Sequence, residues 1–146
     1  MPFDYFVARL RCPGCGDEVD AEIQTHIQGG VADGAAFGVG AKIDAVFIEP
    51  DHLVRSGYAQ VKELHPDDPV RLLDMWTCPS CDTEQWAAVD IVGGTIERIE
   101  GVKLDRATLE SASYISDVNA DIEARSLRRA DEGLSSVDVL RRRLPS

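Results

Sequence analysis

Four cysteines in two pairs of the same form are the residues of this chain best suited to chemistry: Cys12 and Cys15 in RCPGCG, and Cys78 and Cys81 in TCPSCD. In each C-P-x-C the first thiolate enters a site from the end of a strand. Pro13 or Pro79 then fixes the turn, and the backbone amides beyond it point back at sulfur and relieve its charge. Four thiolates are soft ligands for a tetrahedral Zn²⁺, with Zn–S near about 2.3 Å, and they leave no position for water or substrate. Such a closed site holds a fold together. Gly16 follows the first pair where a positive φ is needed, and Asp82 takes the matching place after the second, a residue that adopts that conformation less easily.

The same thiols admit other chemistry. Four thiolates also bind iron or an iron–sulfur cluster. A redox centre of the thioredoxin type needs a cysteine pair at the start of a helix, where the dipole lowers the thiol pKa, and neither pair is followed by helical periodicity. The start, MPFDYFVARL, lacks the basic and long apolar regions of a secretory signal, and no apolar run approaches the roughly 20 residues that span a bilayer. A cytoplasmic protein with no membrane partner is therefore expected, and in that compartment paired cysteines hold metal or do redox chemistry rather than form permanent disulfides.

A second, catalytic centre has little support. His26, His52 and His65 have the acids Asp51, Asp67 and Asp68 nearby, but no H-E-x-x-H, G-x-S-x-G or Walker pattern occurs. The Gly-rich GGVADGAAFGVG, residues 29 to 40, has no GKS or GKT ending and reads as turns around a short strand. No catalytic residue and no organic cofactor are assigned.

The elements that must position the cysteines read mostly as strands over residues 1 to 104. Tyr5 to Arg11 alternates into the first pair and Glu18 to His26 alternates away from it, a hairpin with cysteines at its tip. Val70 to Trp76 leads into the second pair, Gln85 to Val92 leads away, and GGT turns the chain into Ile96 to Val102. Ile43 to Ile48 reads as a strand or a packed loop, EPDH at 49 to 52 as a turn, Tyr58 to Leu64 as a weak strand, and HPDDP at 65 to 69 as a breaker. Trp76 and Trp86 flank the second pair; one or both are expected to cover the metal site as core residues, whereas an exposed tryptophan there would mark a docking surface. Six or seven short antiparallel strands result.

From 105 to 146 the pattern turns helical. Asp105 can cap a helix from Arg106, with Leu109, Ala112, Ile115, Val118 and Ile122 on one stripe and an interruption near Ser116. Gly133 ends the pattern, Ser135 or Ser136 can cap again, and Val137, Leu140 and Leu144 form a second stripe. The expected class is α+β: an antiparallel sheet on an elaborated zinc ribbon over 1 to 104, and a C-terminal helical arm over 105 to 146 able to join a second copy or a partner.

In these knuckles, CPGCG and CPSCD, the sequence resembles the zinc-ribbon group, in which two such turns meet on β-hairpins. The resemblance covers the knuckles and their flanking strands, about half the chain, and implies Cys12, Cys15, Cys78 and Cys81 as metal ligands. It implies no single function, since ribbons serve transcription, translation, metalloenzymes and protein docking alike.

Charge narrows the choice. Residues 1 to 104 carry 18 Asp and Glu against 8 Lys and Arg, net −10, while 105 to 146 are near balance with 8 against 7. Four thiolates on a divalent ion would add a further negative charge to the acidic part. Phosphate backbones are repelled by such a surface, so nucleic acid is not an expected partner. The arginines at 125, 128, 129 and 141 to 143 complement helix ends. The favoured expectation is a non-enzymatic, zinc-stabilised module that binds a basic protein partner as adaptor, regulator or inhibitor. The alternatives are a nucleic-acid-binding ribbon and a metalloenzyme using the loop histidines.

Overall fold

The computed structural model describes residues 4–25, 27, 35–65, 67–129 and 133–146. His26, residues 29–34 of the Gly-rich segment and Pro66 lie outside them.

The alternation read in the sequence forms β1 (Asp4–Arg11) and β2 (Glu18–Thr25), an antiparallel hairpin from Asp4↔Thr25 to Arg11↔Glu18. β3 (Ala36–Phe37) adds to β1 in parallel and closes a three-stranded sheet of order β2-β1-β3. A 3-10 turn (Ala45–Ile48), opened by the Asp44 side chain on the Val46 amide, leads into α1 (Pro50–Arg55). EPDH is thus a helix start and not a turn: Pro50 occupies the first helical position, where a missing N–H costs nothing.

The second sheet has five strands. β4 (Tyr58–Gln60), β5 (Val70–Thr77), β6 (Glu84–Val92) and β7 (Thr95–Val102) precede α2 (Arg106–Ser111), and β8 (Tyr114–Ser116) follows it. The order is β4-β8-β5-β6-β7. β5, β6 and β7 form an antiparallel meander, but β8 runs parallel to β5 at Leu72↔Tyr114 and Leu73↔Ile115. Both sheets are therefore mixed, and the all-antiparallel expectation is corrected at β3 and β8. The α+β class holds, with eight strands and four helices among the described residues.

β8 also breaks the expected long helix. α2 is capped by the Asp105 carboxylate on the Thr108 amide at 2.8 Å and ends at Ser111. The Ser113 backbone then exchanges with the sheet, donating to the Arg71 carbonyl and accepting from the Val61 amide. α3 (Asp117–Arg125) restarts from Ser116, and α4 (Ser136–Arg143) from Ser135, whose hydroxyl accepts from the Asp138 amide.

The larger sheet lies between two cores. On one face Leu72, Trp76, Ala87, Val89, Ile91 and Ile96 pack against Phe6, Val19, Ala21 and Ile23 of the smaller sheet. On the other, Leu73, Trp86, Ala88 and Ile115 pack against Leu109, Ala120, Ala124, Val139 and Leu140 of the helices. Residues 86 to 89, WAAV, thus alternate between two buried faces, which accounts for a central strand with no polar side. Leu109, Ala112 and Ile115 are buried, as are Val137, Leu140 and Leu144, so both C-terminal stripes are largely covered within the chain. Val118 at 69% and Ile122 at 38% remain exposed. Among the described residues no helix is long and apolar enough to cross a membrane.

Candidate metal centre and the groove beside it

The two knuckles are built alike. After β1, the Cys12 amide donates to the Asp17 carbonyl at 2.9 Å and the Gly16 amide to the Cys12 carbonyl at 2.9 Å. After β5, the Cys78 amide donates to the Thr83 carbonyl at 3.0 Å and the Asp82 amide to the Cys78 carbonyl at 2.8 Å. Gly16 has φ 80° and Asp82 φ 54°, so both turns close through a left-handed residue at the same place. Asp82 is the only non-glycine residue with positive φ among the described residues. The Ser80 hydroxyl donates to the Asp17 carboxylate and ties one knuckle to the other.

This pairing brings all four sulfurs within 4.8 Å of one another. Cys12 and Cys81 Sγ are 3.9 Å apart, as are Cys15 and Cys78 Sγ. A tetrahedron with metal–sulfur bonds of about 2.3 Å has edges of about 3.8 Å, so the set fits a metal ion such as zinc. Cys12 and Cys78 are buried, Cys81 is half-buried and Cys15 is exposed. The crowded thiols titrate unequally. Cys15 is pushed up to about 11: its hydrogen bond with the Asp17 backbone pulls it down, but desolvation and the neighbouring thiols outweigh that. Cys81 falls to about 7, chiefly because the Thr83 hydroxyl lies 2.9 Å from its sulfur. Among the described residues no other cluster of His, Cys, Asp or Glu reaches metal-binding spacing.

Close approach of β7 to the first knuckle depends on Gly101. A methyl group there would lie 2.6 Å from the Arg11 carbonyl oxygen and 3.0 Å from Pro13 Cδ. Backbone and a proline ring cannot yield as a long side chain does, so Gly101→Ala is expected to destabilise the fold by about 1–3 kcal/mol through overpacking. At Gly14 the group met is the Gln85 side-chain amide, which can swing away, so Gly14→Ala serves as the mild control. Urea denaturation of both variants checks this; equal midpoints would show that the Gly101 contact is not limiting.

The two tryptophans part company. Trp76 faces the inter-sheet core with Cys12 and Cys78, whereas Trp86 faces the helices on the opposite side of the sheet. The Trp76 indole N–H donates to the Trp86 carbonyl at 3.0 Å. His52 Nε2 lies 2.6 Å from the Ile27 carbonyl, and its ring meets Phe47 edge-on at 5.1 Å, which ties α1 to the chain just beyond β2 and to the 3-10 turn before it. His65 sits in a turn whose amide donates to Asp68 Oδ2 at 2.9 Å. Neither histidine joins a metal-spaced cluster.

Beside the second knuckle runs a groove of about 590 Å³. Tyr5, Asp20, Glu22 and Gln24 form one bank, and Met75, Thr77 and Pro79 the other. Arg9 meets Asp20 at 3.2 Å, both well exposed, a pairing of little strength, and Glu22 has no ion pair among the described residues. At its far end Gln24 and Met75 also line a second cavity, of about 330 Å³, that contains Thr25, Tyr58 and Asp74.

These last residues escaped the sequence reading. The Tyr58 hydroxyl donates to Asp74 Oδ2 at 2.8 Å and lies 2.7 Å from Thr25 Oγ1. Burial lifts the Asp74 carboxyl to about 7, against the pull of the Tyr58 hydrogen bond, and burial followed by the Asp74 charge pushes the Tyr58 phenol well above its usual range. The one available signal was an acid inside the apolar run VRLLDMWT.

Compared with known proteins, the chain matches no family model, no curated protein and no solved structure.

Proposed function

We propose that this chain is a non-enzymatic protein-interaction module whose two sheets are clasped by one Zn²⁺ on Cys12, Cys15, Cys78 and Cys81, and that it docks a basic segment of a partner protein in the groove beside the second knuckle. The observation that carries this reading is the groove itself, with Asp20 and Glu22 on its open bank and no lysine, arginine or histidine in its lining. The metal enters as a structural element. Four thiolates fill its tetrahedron, and its part is to hold β1 and β5 so that the banks stand at a fixed separation.

The arginines that could support nucleic-acid binding are partly committed elsewhere. Arg141 donates to the Val61 carbonyl, Arg128 to Ser136 Oγ at 3.2 Å, and Arg125 meets Asp121 at 3.3 Å. No observation favours that second reading.

The test is fluorescence anisotropy with labelled lysine- and arginine-rich dodecapeptides, acidic and neutral peptides of equal length, and duplex DNA and RNA, at physiological salt. Basic peptides are expected to bind, and Asp20→Lys with Glu22→Lys to weaken them at least about tenfold, since opposite charge on a groove becomes like charge. Nucleic acids are expected not to bind up to about 10 µM, because the acidic surface offers no counterion release. Salt-sensitive nucleic-acid binding without peptide binding would replace this reading by the nucleic-acid one.

A further inference from the structure

The cavity at the end of the groove has the chemistry of a cation pocket. Asp74 sits on its wall at 2% exposure. Oδ2 accepts from Tyr58, and among the described residues no protein donor reaches Oδ1. No lysine, arginine or histidine lines the cavity, and Met75 and Val118 give it apolar walls suited to an alkyl stem. A carboxyl so buried keeps its proton unless a cation pairs with it, and no cationic side chain lines the cavity, so an entering ammonium or guanidinium would be its first cationic partner there. Gln24 and Met75 are shared with the groove, so a chain lying along Asp20 and Glu22 passes the cavity mouth.

We propose that this cavity is the anchor pocket of the groove, taking the ammonium or guanidinium group of one lysine or arginine of the docked segment, with the Asp74 carboxylate as its counter-ion. This rests on the reading of the groove as a docking site and adds a position to it: one basic residue of the partner is buried while its other basic residues stay at the rim. Truncating one partner of a buried charge pair weakens such an interface strongly, whereas changing a rim charge acts mainly on encounter.

The site has a pH signature. Tyr58 from β4, Thr25 from β2 and Asn119 from α3 face the cavity, and the charge of Asp4 on β1 acts on Tyr58. With its carboxyl near 7, Asp74 is mostly protonated at pH 6, and an entering cation must displace that proton. Affinity for the anchor therefore rises about tenfold from pH 6 to pH 8.

The experiment takes a basic dodecapeptide bound by the intact, metal-loaded protein and replaces each lysine in turn by norleucine. Binding is measured to wild type, to Asp74→Asn, which keeps the shape and the Tyr58 hydrogen bond, and to Val118→Lys, which sets a tethered ammonium at the exposed mouth. The expected result is one position whose replacement weakens wild-type binding at least tenfold, an effect absent in both variants, with the pH dependence also absent in Asp74→Asn. If the peptide binds and Asp20→Lys with Glu22→Lys weakens it, but the scan is uniform and Asp74→Asn changes nothing, the anchor is overturned and the groove reading survives. If no peptide binds while n-butylammonium shifts the Tyr58 and Asp74 amide resonances saturably, both the groove reading and the anchor fall, and the cavity is a site for free amines. If neither probe binds, both fall together.

Discussion

Cys78→Ser is expected to abolish the cooperative fold rather than loosen one corner of it. Cys78 is fully buried at the end of β5, in the same core as Phe6, Trp76 and Val89, and its sulfur lies 3.9 Å from that of Cys15 on the other knuckle. Removing one thiolate leaves three ligands and a hydroxyl that holds zinc poorly. Metal binding at such sites is itself folding free energy, on the order of 10 kcal/mol. The whole stability of a domain is only about 5–15 kcal/mol. Elemental analysis of wild type purified without chelator should give one zinc per chain, and circular dichroism of the variant should show no sharp thermal transition. A strong chelator should reproduce the variant's behaviour in the wild type. Well under one metal per chain in a folded wild type would remove the clasp from the account, and visible absorbance from an iron–sulfur cluster would change the metal while keeping the ligands.

The parts legible in the sequence are those whose information is local. Each knuckle needs two cysteines, a proline and a residue of positive φ within five positions, and its flanking strands alternate with period two. Thus β1, β2, β5, β6 and β7, the strands around the cysteines, could be read, Asp105 could be named as a cap, and the second cap could be narrowed to Ser135 or Ser136, of which Ser135 is the one used. The closing strands could not. β8 is three residues long, and its Ile115 stands three places after Ala112 and six after Leu109, so it continued a helical stripe. What makes it a strand is the edge of β5 at Leu72 and Leu73, 42 positions earlier in the chain. β3 likewise exists only because β1 offers an edge. The Asp74 cavity was hidden for the same reason. Its groups come from β2, β4, β5 and α3, and the carboxyl near 7 is a property of burial, which no window of sequence contains.

Ending the chain at Lys103 is expected to yield no folded monomer, although the four cysteines would all remain. The cut removes β8, and with it the parallel partner of Leu72 and Leu73, and strips α2, α3 and α4 from the outer face of the larger sheet. Leu73, Trp86, Ala88 and Val61, all buried in the intact chain, would face water. The Val61 carbonyl would lose the Arg141 guanidinium, and the Met75 amide would lose its Asn119 acceptor at 3.0 Å. Leu109, Ile115, Val137, Val139, Leu140 and Leu144 each contribute about 1.5–3 kcal/mol when fully buried, so their joint loss is on the order of 10 kcal/mol, comparable with the whole stability of a domain. A metal ion held by the four cysteines would lie between the first knuckle and the turn joining β5 to β6, away from that face, and could not cover it. Light scattering should show aggregates, and near-ultraviolet circular dichroism should lose the bands that Trp76 and Trp86 give in a rigid setting. A soluble monomer with those bands intact and one zinc bound would show instead that residues 1 to 103 fold alone, and that the helices are an arm free to seek a partner.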